Sequence, residues 1–183
     1  MPKLKLTLAC WDYDRARALA EGRVVPEGID LNVLELPVEE TFFRMLRHRE
    51  FDAAEMSLSS YVVSLQRPEP PFIAIPVFPS RLFRHNGIFV SAASGISEPK
   101  DLRGKRCGVP EYQLTAPVWQ RGILADEYGV DPASLLYFTG GEEEPGREEK
   151  VPIDLPEKFR VHPIPPGKTL STMLADGEID VIT

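Results

Sequence analysis

Polar and aromatic side chains follow four predicted strands, at the points where those strands end. In open α/β sheets, small ligands bind beyond the carboxyl ends of the strands. We therefore expect a binding site to be built from the residues that come directly after them. These residues are Trp11, Asp12 and Tyr13 after the first strand, Glu55, Ser57, Ser59 and Ser60 after the third, Glu111, Tyr112, Gln113 and Thr115 after a strand at Lys105, and Thr139, Gly140 and Gly141 after a strand at Leu135.

Three basic residues, Arg81, Arg84 and His85, stand close together in one predicted connection. An arginine can hold a carboxylate through two parallel hydrogen bonds, and a histidine can supply a proton near neutral pH. The cluster thus predicts a carboxylate site with a proton donor beside it. The alternative is two solvated arginines and a surface histidine.

Thr115 opens a predicted helix, where its hydroxyl and the unpaired N–H groups of the first turn can bind an anion. The alternative is a plain N-cap without a ligand. The aromatic rings of Trp11, Tyr13 and Tyr112 are suited to stacking on an aromatic ligand, with packing as the alternative. The acidic run Glu142–Glu149 is interpreted as a solvated loop.

Composition limits the classes of function. The 183-residue chain carries a net charge of −7, which argues against nucleic-acid binding. It contains no metal-binding, phosphate-binding or nucleophile-elbow motif, so no metal or other cofactor is predicted. Cys10 and Cys107 lack metal-ligand spacing and are interpreted as buried free thiols. No apolar run approaches the ~20 residues of a membrane span or fits a signal sequence, so we expect a cytoplasmic protein without membrane contact.

Strands and helices alternate from the start of the chain, which favours a mostly parallel sheet in an α/β fold. The strands predicted in the first part are Leu4–Cys10, Ile29–Leu36, Phe51–Met56, Phe72–Phe78 and Gly87–Val90. The helices predicted there run over Ala16–Leu19, with Asp12 or Asp14 as N-cap, from Pro37 to about Arg49, and over Ser59–Gln66.

A composition shift at Ser91–Gly95 divides the chain into two predicted domains, residues 1–90 and 91–183. The elements predicted in the second domain are a helical turn at Pro99–Leu102, strands at Lys105–Val109, Leu135–Phe138 and Ile179–Ile182, and helices at Thr115–Tyr128 and Leu170–Ala175. A charged, proline-rich loop is predicted over 140–168, and a loop of this length in a compact domain is functional or mobile.

The segment Thr41–Glu55 matches Thr169–Thr183 at an offset of 128 residues, with five identities. A true repeat predicts two similar α/β units. The alternative is chance, because every helix-then-strand unit shares this pattern. No counterpart of the serine loop Ser57–Ser60 follows the second copy, which stops at Thr183.

Four stretches carry a resemblance to a known family. Glu98–Trp119 resembles the start of the second lobe in type II periplasmic-binding-protein-like folds, where a helix N-terminus binds an anionic ligand. Together with Leu6–Leu19, Phe51–Val62 and Tyr137–Lys150, it resembles the 4,5-dihydroxyphthalate decarboxylase family over essentially the whole chain. The resemblance implies a two-lobed type II fold. Because members of that family are longer, it also implies that the second lobe is incomplete at the C-terminus.

The resemblance further implies cofactor-independent decarboxylation of a small aromatic dicarboxylate such as 4,5-dihydroxyphthalate to 3,4-dihydroxybenzoate. That chemistry needs a cation for the retained carboxylate, an acid for the ring carbon and a base for the phenolic proton. Arg81 or Arg84 suits the first role and His85 the second. Glu55 or Glu111 suits the third. The residues expected to position the ring and its oxygens are Tyr13, Ser57, Tyr112 and Thr115.

Two alternatives stay open: a solute-binding protein of the ABC-transporter type for a small aromatic or dicarboxylic acid, and an inactive fragment of either protein. We expect Trp11–Tyr13, Ser57–Ser60 and Tyr112–Thr115 to converge on one cleft between the lobes. An exposed edge of the incomplete second sheet favours homo-oligomers. We also expect residues 1–183 alone to be marginally stable and inactive.

Overall fold

The computed structural model describes residues 2–183 and has a mixed α/β architecture with two sheets. Contacts divide it into two compact units, one ending at Leu82 and the other spanning Phe83–Thr183. Within residues 2–183, no helix combines the length and the apolar character needed to cross a bilayer.

The first unit contains a three-stranded parallel sheet in the order β2-β1-β3. Its strands are β1 (Leu4–Cys10), β2 (Ile29–Glu35) and β3 (Ala53–Ala54). The alternation in Leu4–Cys10 predicted β1 correctly. Only two residues of the predicted strand Phe51–Met56 pair with β1, and the N–H of Glu55 adds one further bond to the Ala9 carbonyl.

Three helices accompany this sheet: α1 (Arg17–Ala20), α2 (Val38–His48) and α3 (Leu58–Ser64). In α2, acidic residues in the first turn and basic residues in the last turn complement the helix dipole. The predicted N-cap of α1 is wrong, because Ala16 occupies that position and neither Asp12 nor Asp14 caps the helix. The Asp12 carboxylate instead pairs with the guanidinium of Arg17 at 3.1 Å.

The predicted strand Phe72–Phe78 is absent, and this segment forms no helix or strand. Pro71 and Pro76 have no N–H groups to donate to a ladder. Most apolar side chains of the segment are exposed, including Ile75, Val77 and Phe78, and Ile73 is 94% accessible.

The second unit contains a five-stranded sheet in the order β4-β8-β5-β6-β7. Its strands are β4 (Phe89–Val90), β5 (Arg106–Val109), β6 (Leu136–Thr139), β7 (Arg160–Pro163) and β8 (Val181–Ile182). Its helices are α4 (Thr115–Tyr128) and α5 (Leu170–Ala175), with short 3-10 turns at Arg84–Gly87, Pro99–Leu102 and Pro132–Ser134. Helix α4 ends where predicted, because Gly129 takes the left-handed conformation with φ 64°.

Two strands of this sheet correct the sequence analysis. Strand β4, which we assigned to the first sheet, pairs antiparallel with β8 through Phe89–Ile182 and Val90–Val181. Strand β7 lies inside the predicted loop 140–168 and pairs parallel with β6. It is a short edge strand, where its terminal Pro163 is tolerated.

The two units repeat one arrangement around their central strands. Strand β3 pairs Ala53 with Leu8 of β1, and β8 pairs Val181 with Cys107 of β5. The residue before each strand bonds back in the same way. The Asp52 carboxylate accepts the Thr7 N–H at 2.8 Å, and the Asp180 carboxylate accepts the Arg106 N–H at 2.9 Å. The internal repeat predicted at an offset of 128 residues is therefore structural.

The core of the second unit has two parts on opposite faces of β5. One part is formed around Cys107, Val109, Leu135 and Tyr137. The other consists of Leu170, Met173, Ile179 and Ile182. Successive residues of a strand point to opposite faces, so Gly108 faces the second group.

We expect Gly108→Ala to lower the free energy of unfolding by about 1–3 kcal/mol, the usual cost of overpacking. A Cβ at Gly108 would lie 2.7 Å from Ile179 Cδ1 and 2.9 Å from Leu170 Cδ2. Gly122→Ala in helix α4 is the matched control, because nothing lies within 4 Å of its added methyl. It should raise stability by about 0.5–1 kcal/mol. Urea denaturation of both variants checks the opposite signs, and equal shifts would contradict this packing.

Candidate active site

Three residues predicted to form the site meet at the carboxyl end of the first sheet. The Glu55 side chain, after β3, accepts the Trp11 N–H at 2.6 Å and the Tyr13 hydroxyl at 2.9 Å. Glu55 is only 8% exposed. The strands β1 and β3 are parallel neighbours, so their carboxyl ends lie at the same edge of the sheet. This topology brings residues 42 to 44 positions apart in sequence into direct contact.

The Tyr13 hydroxyl is a hydrogen-bond donor held in its neutral form. Burial, followed by the hydrogen bond and the negative charge of Glu55, raises the pKa of Tyr13 to about 12. Because the phenol keeps its proton at neutral pH, it remains a donor that orients the Glu55 carboxylate.

The serines of the predicted loop open helix α3, and the first of them, Ser57, lies two residues after Glu55. Ser57 is the N-cap residue and is 5% exposed, and its hydroxyl lies 3.1 Å from that of Ser59. Asp12 lies at the surface in its ion pair with Arg17. Within the first unit, the structure therefore brings Trp11 and Tyr13 onto Glu55, and it places the serines next in the chain.

A fully buried carboxylate, Glu111, lies beyond the carboxyl end of β5 in the second unit. The guanidinium of Arg147 donates to Oε1 at 2.7 and 2.9 Å, and the Lys150 ammonium donates to it at 2.5 Å. The Lys150 N–H and the Gln113 amide donate to Oε2, at 2.9 and 3.3 Å. Glu111 thus anchors the loop that follows β6 to the end of β5.

Glu149 makes the reciprocal contact from the loop. Its Oε1 accepts the Tyr112 N–H at 2.5 Å, and the Gln113 N–H also bonds to this carboxylate. The other oxygen, Oε2, is buried and has no hydrogen-bond partner among residues 2–183. Burial is the main reason that the pKa of Glu149 is raised, and the charge of Glu111 adds to it.

Tyr112 packs inside the second unit. It is 5% exposed, its ring lies 5.0 Å from that of Tyr137, and the Arg121 guanidinium lies 3.8 Å above it. Arg121 also donates to the Tyr112 carbonyl at 2.7 Å. The geometry of Tyr112 is that of a packed ring, which was the alternative to ligand stacking.

The predicted N-cap at Thr115 is one residue out, because Leu114 occupies the cap position and Thr115 is the first helical residue. The backbone of Leu114 is extended, with φ −57° and ψ 146°, and the helical conformation begins at the next residue. The side chain of Gln113, only 3% exposed, lies just before this turn.

The predicted basic cluster is divided between the two units. Arg81 is an exposed residue near the end of the first unit, whereas Arg84 and His85 start the 3-10 turn Arg84–Gly87 of the second. The Gln120 side chain of α4 donates to the Arg84 carbonyl at 3.2 Å and fixes this turn. His85 is half exposed, with Nε2 4.0 Å from a carboxylate oxygen of Glu127.

Arg147, Glu149 and Lys150 were not predicted as site residues, because the charged run was interpreted as solvated. The acidic residues Glu142–Glu144 are exposed, but the following charges fold onto the end of β5. The mixed basic and acidic residues at 147–150, together with a glutamate after a buried strand, were the available signal. Among residues 2–183, no group of three or more potential metal-ligating side chains occurs.

We expect acid to destabilise the second unit through Glu111. Burial raises the pKa of this carboxyl, but hydrogen bonds from Lys150 and Arg147 outweigh burial and leave the pKa below its ordinary value. Such a group contributes stability above its unfolded pKa of about 4.3 and loses it as the pH falls through the folded pKa. Glu149 has the opposite sign, since its contribution is present below its unfolded pKa and lost as the pH rises through the raised value.

Hydrogen exchange of the β5 and β6 amides, measured from about pH 6 to about pH 3, follows this change within the second unit. Glu111→Gln should flatten the loss of protection in acid. An unchanged acid profile in that variant would assign the pH dependence to other carboxylates.

Comparison with known proteins identifies the family of the chain. No family model matches it. It is 49% identical over 180 residues to a protein of Comamonas testosteroni named 4,5-dihydroxyphthalate decarboxylase, covering 98% of this chain and 54% of that protein. It is 46% identical over 182 residues to a Pseudomonas putida protein of the same name, covering 100% of this chain and 70% of that protein. The chain thus spans about half the length of the first relative and about two thirds of the second. Identity at this level across the whole chain shows that it belongs to the 4,5-dihydroxyphthalate decarboxylase family.

Proposed function

We propose that this chain forms part of an enzyme that decarboxylates an aromatic dicarboxylate such as 4,5-dihydroxyphthalate to 3,4-dihydroxybenzoate. The observation that supports it most strongly is the identity of 49% and 46% to two proteins named for that activity. The contact of Glu55 with Tyr13 gives the proposal a chemical basis in this chain.

The reaction breaks the bond between a ring carbon and one carboxylate, which leaves as CO2. The bonding electrons stay on the ring carbon, which takes up one proton. Each carboxylate of 4,5-dihydroxyphthalate is para to a hydroxyl, so removal of that phenolic proton feeds electrons to the carbon being protonated. The site therefore needs a base near the hydroxyl, an acid near the ring carbon and a cation for the carboxylate that remains.

Glu55 is our candidate for the base. Its carboxylate is almost fully buried yet already organised by two donors, the Trp11 N–H and the Tyr13 hydroxyl. A substrate phenol could take the place of Tyr13 or share the carboxylate with it. A base fixed in one position avoids the cost of orienting it during the reaction. Ser57 and Ser59, next in the chain, would bind substrate oxygens.

We assign the proton donor to His85 and the grip on the retained carboxylate to Arg84 or Arg81. His85 and Arg84 share one short turn that Gln120 holds against α4. Gln113 and Thr115 are the further candidates for substrate contacts in the second unit. Glu111 already accepts five hydrogen bonds, so we assign it an organising role and give the base to Glu55.

We also infer that each unit is one lobe of a type II periplasmic-binding-protein-like fold. The repeated pairing of β3 with β1 and of β8 with β5 supports two related lobes. The two free cysteines favour a reducing compartment, for which we propose the cytoplasm.

In an active protein of this family, the variants of the basic residues should separate binding from chemistry. Arg84→Ala or Arg81→Ala should weaken substrate binding about tenfold, since a hydrogen bond to a charged group contributes about 1.5–3 kcal/mol. His85→Ala should lower kcat about tenfold or more with little change in KM, because an acid acts only in the transition state. Steady-state kinetics check both, and unchanged kcat in His85→Ala would remove His85 from the mechanism.

The function itself is tested by incubating the 183-residue chain with 4,5-dihydroxyphthalate and following 3,4-dihydroxybenzoate and CO2. The Pseudomonas putida relative is the positive control. The relatives are longer than this chain, so the same assay on the relative carrying the variant at the position aligned with Glu55 tests the site. Turnover by that relative that does not depend on this glutamate would refute the proposed base. Tight binding without turnover by this chain would fit the solute-binding and inactive-fragment alternatives alike, whereas CO2 release by this chain would exclude both.

A further inference from the structure

A short strap of the second unit, residues 147–150, lies across the carboxyl end of β5. Two of its side chains, Arg147 and Lys150, bind the buried Glu111 carboxylate. The third, Glu149, turns its carboxylate onto the N–H groups of Tyr112 and Gln113. Two cations of the strap therefore attach it to Glu111, while its Glu149 carboxylate accepts hydrogen bonds from the Tyr112 and Gln113 N–H groups.

The backbone site that holds the Glu149 carboxylate resembles a carboxylate-binding site. Two consecutive N–H groups converge on one carboxylate, and helix α4 starts three residues after the first of them. The Arg121 guanidinium, fixed to the Tyr112 carbonyl, adds a positive charge that acts on Glu149. Consecutive amides and a nearby cation are the donors that proteins use to hold anions.

Glu149 does not satisfy all the hydrogen-bonding groups at this site. Its Oε2 is buried without a hydrogen-bond partner among residues 2–183, and so is Nη1 of Arg121. Leaving buried charged groups partly unpaired costs free energy. An external carboxylate that reached both the amides and Nη1 would use donors that Glu149 leaves unused.

The first unit has a comparable contact. There the Trp11 N–H, directly after the central strand β1, donates to Glu55 at 2.6 Å. In both units a glutamate from elsewhere in the chain therefore binds an N–H beyond the central strand. Glu55 differs in that its other oxygen is satisfied by Tyr13, whereas the second oxygen of Glu149 is not.

We propose that the N–H groups of Tyr112 and Gln113 form a carboxylate-binding site that Glu149 fills as an internal ligand, and that an aromatic carboxylate displaces the Glu149 side chain while Arg147 and Lys150 keep the strap attached to Glu111. The aromatic class of the ligand rests on the proposed function. The carboxylate site itself rests on the contacts of Glu149.

An internal ligand lowers the apparent affinity for an external one by the fraction of molecules whose site is open. Glu149→Ala removes this competitor, so it should bind phthalate about tenfold more tightly than the unchanged chain. Glu148→Ala is the matched control, because Glu148 is an exposed neighbour of the same charge. Benzamide, which is neutral, should show no such preference for Glu149→Ala.

Titration of the full 183-residue chain by NMR gives both the affinity and the location. Phthalate should shift the Tyr112 and Gln113 amide signals in Glu149→Ala at concentrations that leave the control unchanged, and it should raise the melting temperature of Glu149→Ala more than that of the control. Equal phthalate affinity in all three proteins, or shifts that avoid these two amides, would overturn the proposal.

Glu149→Gln keeps an oxygen acceptor for the Tyr112 N–H and guards against a variant that fails to fold. This variant should bind phthalate more tightly than the unchanged chain. Its neutral amide binds the Tyr112 and Gln113 N–H groups more weakly than a carboxylate does, so it competes less strongly with phthalate. Phthalate has no phenolic hydroxyl, so its binding does not depend on the decarboxylation chemistry. Phthalate binding at these amides therefore upholds this inference whether or not CO2 is released, and the decarboxylation assay alone decides the proposed function.

Discussion

Glu111→Ala should lower the free energy of unfolding of the second unit by about 3 kcal/mol, the lower end of the cost of breaking a buried ion pair. The carboxylate is fully buried, and its removal takes the main partner from two cations that are themselves 28% and 15% exposed. That residual exposure lets water recover part of the loss, which is why we expect the lower end. Hydrogen exchange of the β5 and β6 amides measures this loss of stability within the second unit.

Glu111→Gln separates charge from volume in this prediction. It keeps the shape and two hydrogen-bonding groups, so it should cost less than Glu111→Ala but more than Glu148→Gln, which changes an exposed charge in the same loop. If Glu111→Ala and Glu148→Gln were equally stable, the buried cluster would have no energetic importance.

Glu55→Gln should lower kcat by about a hundredfold or more, with KM nearly unchanged, in an active protein of this family. Loss of a general base costs about 10²–10⁴ in rate, and the amide still accepts the Trp11 N–H, so the fold of the strand end is preserved. Tyr13→Phe should have a smaller effect, because Tyr13 orients the carboxylate and does not replace it.

Glu69→Gln, which alters an exposed glutamate of the same unit, is the matched control for charge. The pH profile distinguishes the two roles. Loss of a base removes the acidic limb of kcat, whereas loss of an orienting group leaves that limb in place. An acidic limb that persists in Glu55→Gln would assign the base to another residue.

The central strands of both units and helix α4 were predictable because their signals are local. Strand β1 carries an alternating pattern, and the last turn of α4 is followed by a glycine that readily takes the left-handed conformation. Strands β4 and β7 were misplaced or missed because each is defined by a distant partner. A two-residue strand or a proline-terminated edge strand leaves little local pattern.

The same difference decides the site. Parallel order of β1 and β3 was enough to predict that Trp11, Tyr13 and Glu55 would share one edge. The ion pairs of Glu111 were not predictable, because they join residues 36 and 39 positions apart through a loop without repeating pattern. Opposite charges in a flexible-looking run are usually solvated, and only a buried acceptor makes them fold inward.

Each unit contains one of the two cysteines, and both thiols are buried. Cys10 is 5% exposed in the first unit and Cys107 is 1% exposed in the second. Burial raises the pKa of both thiols, and that of Cys107 reaches about 12. We therefore expect a thiol-alkylating reagent, which reacts with the thiolate form, to modify each cysteine only after its own unit opens. The rates of modification at Cys10 and Cys107 would report the two opening reactions separately, without any engineered label.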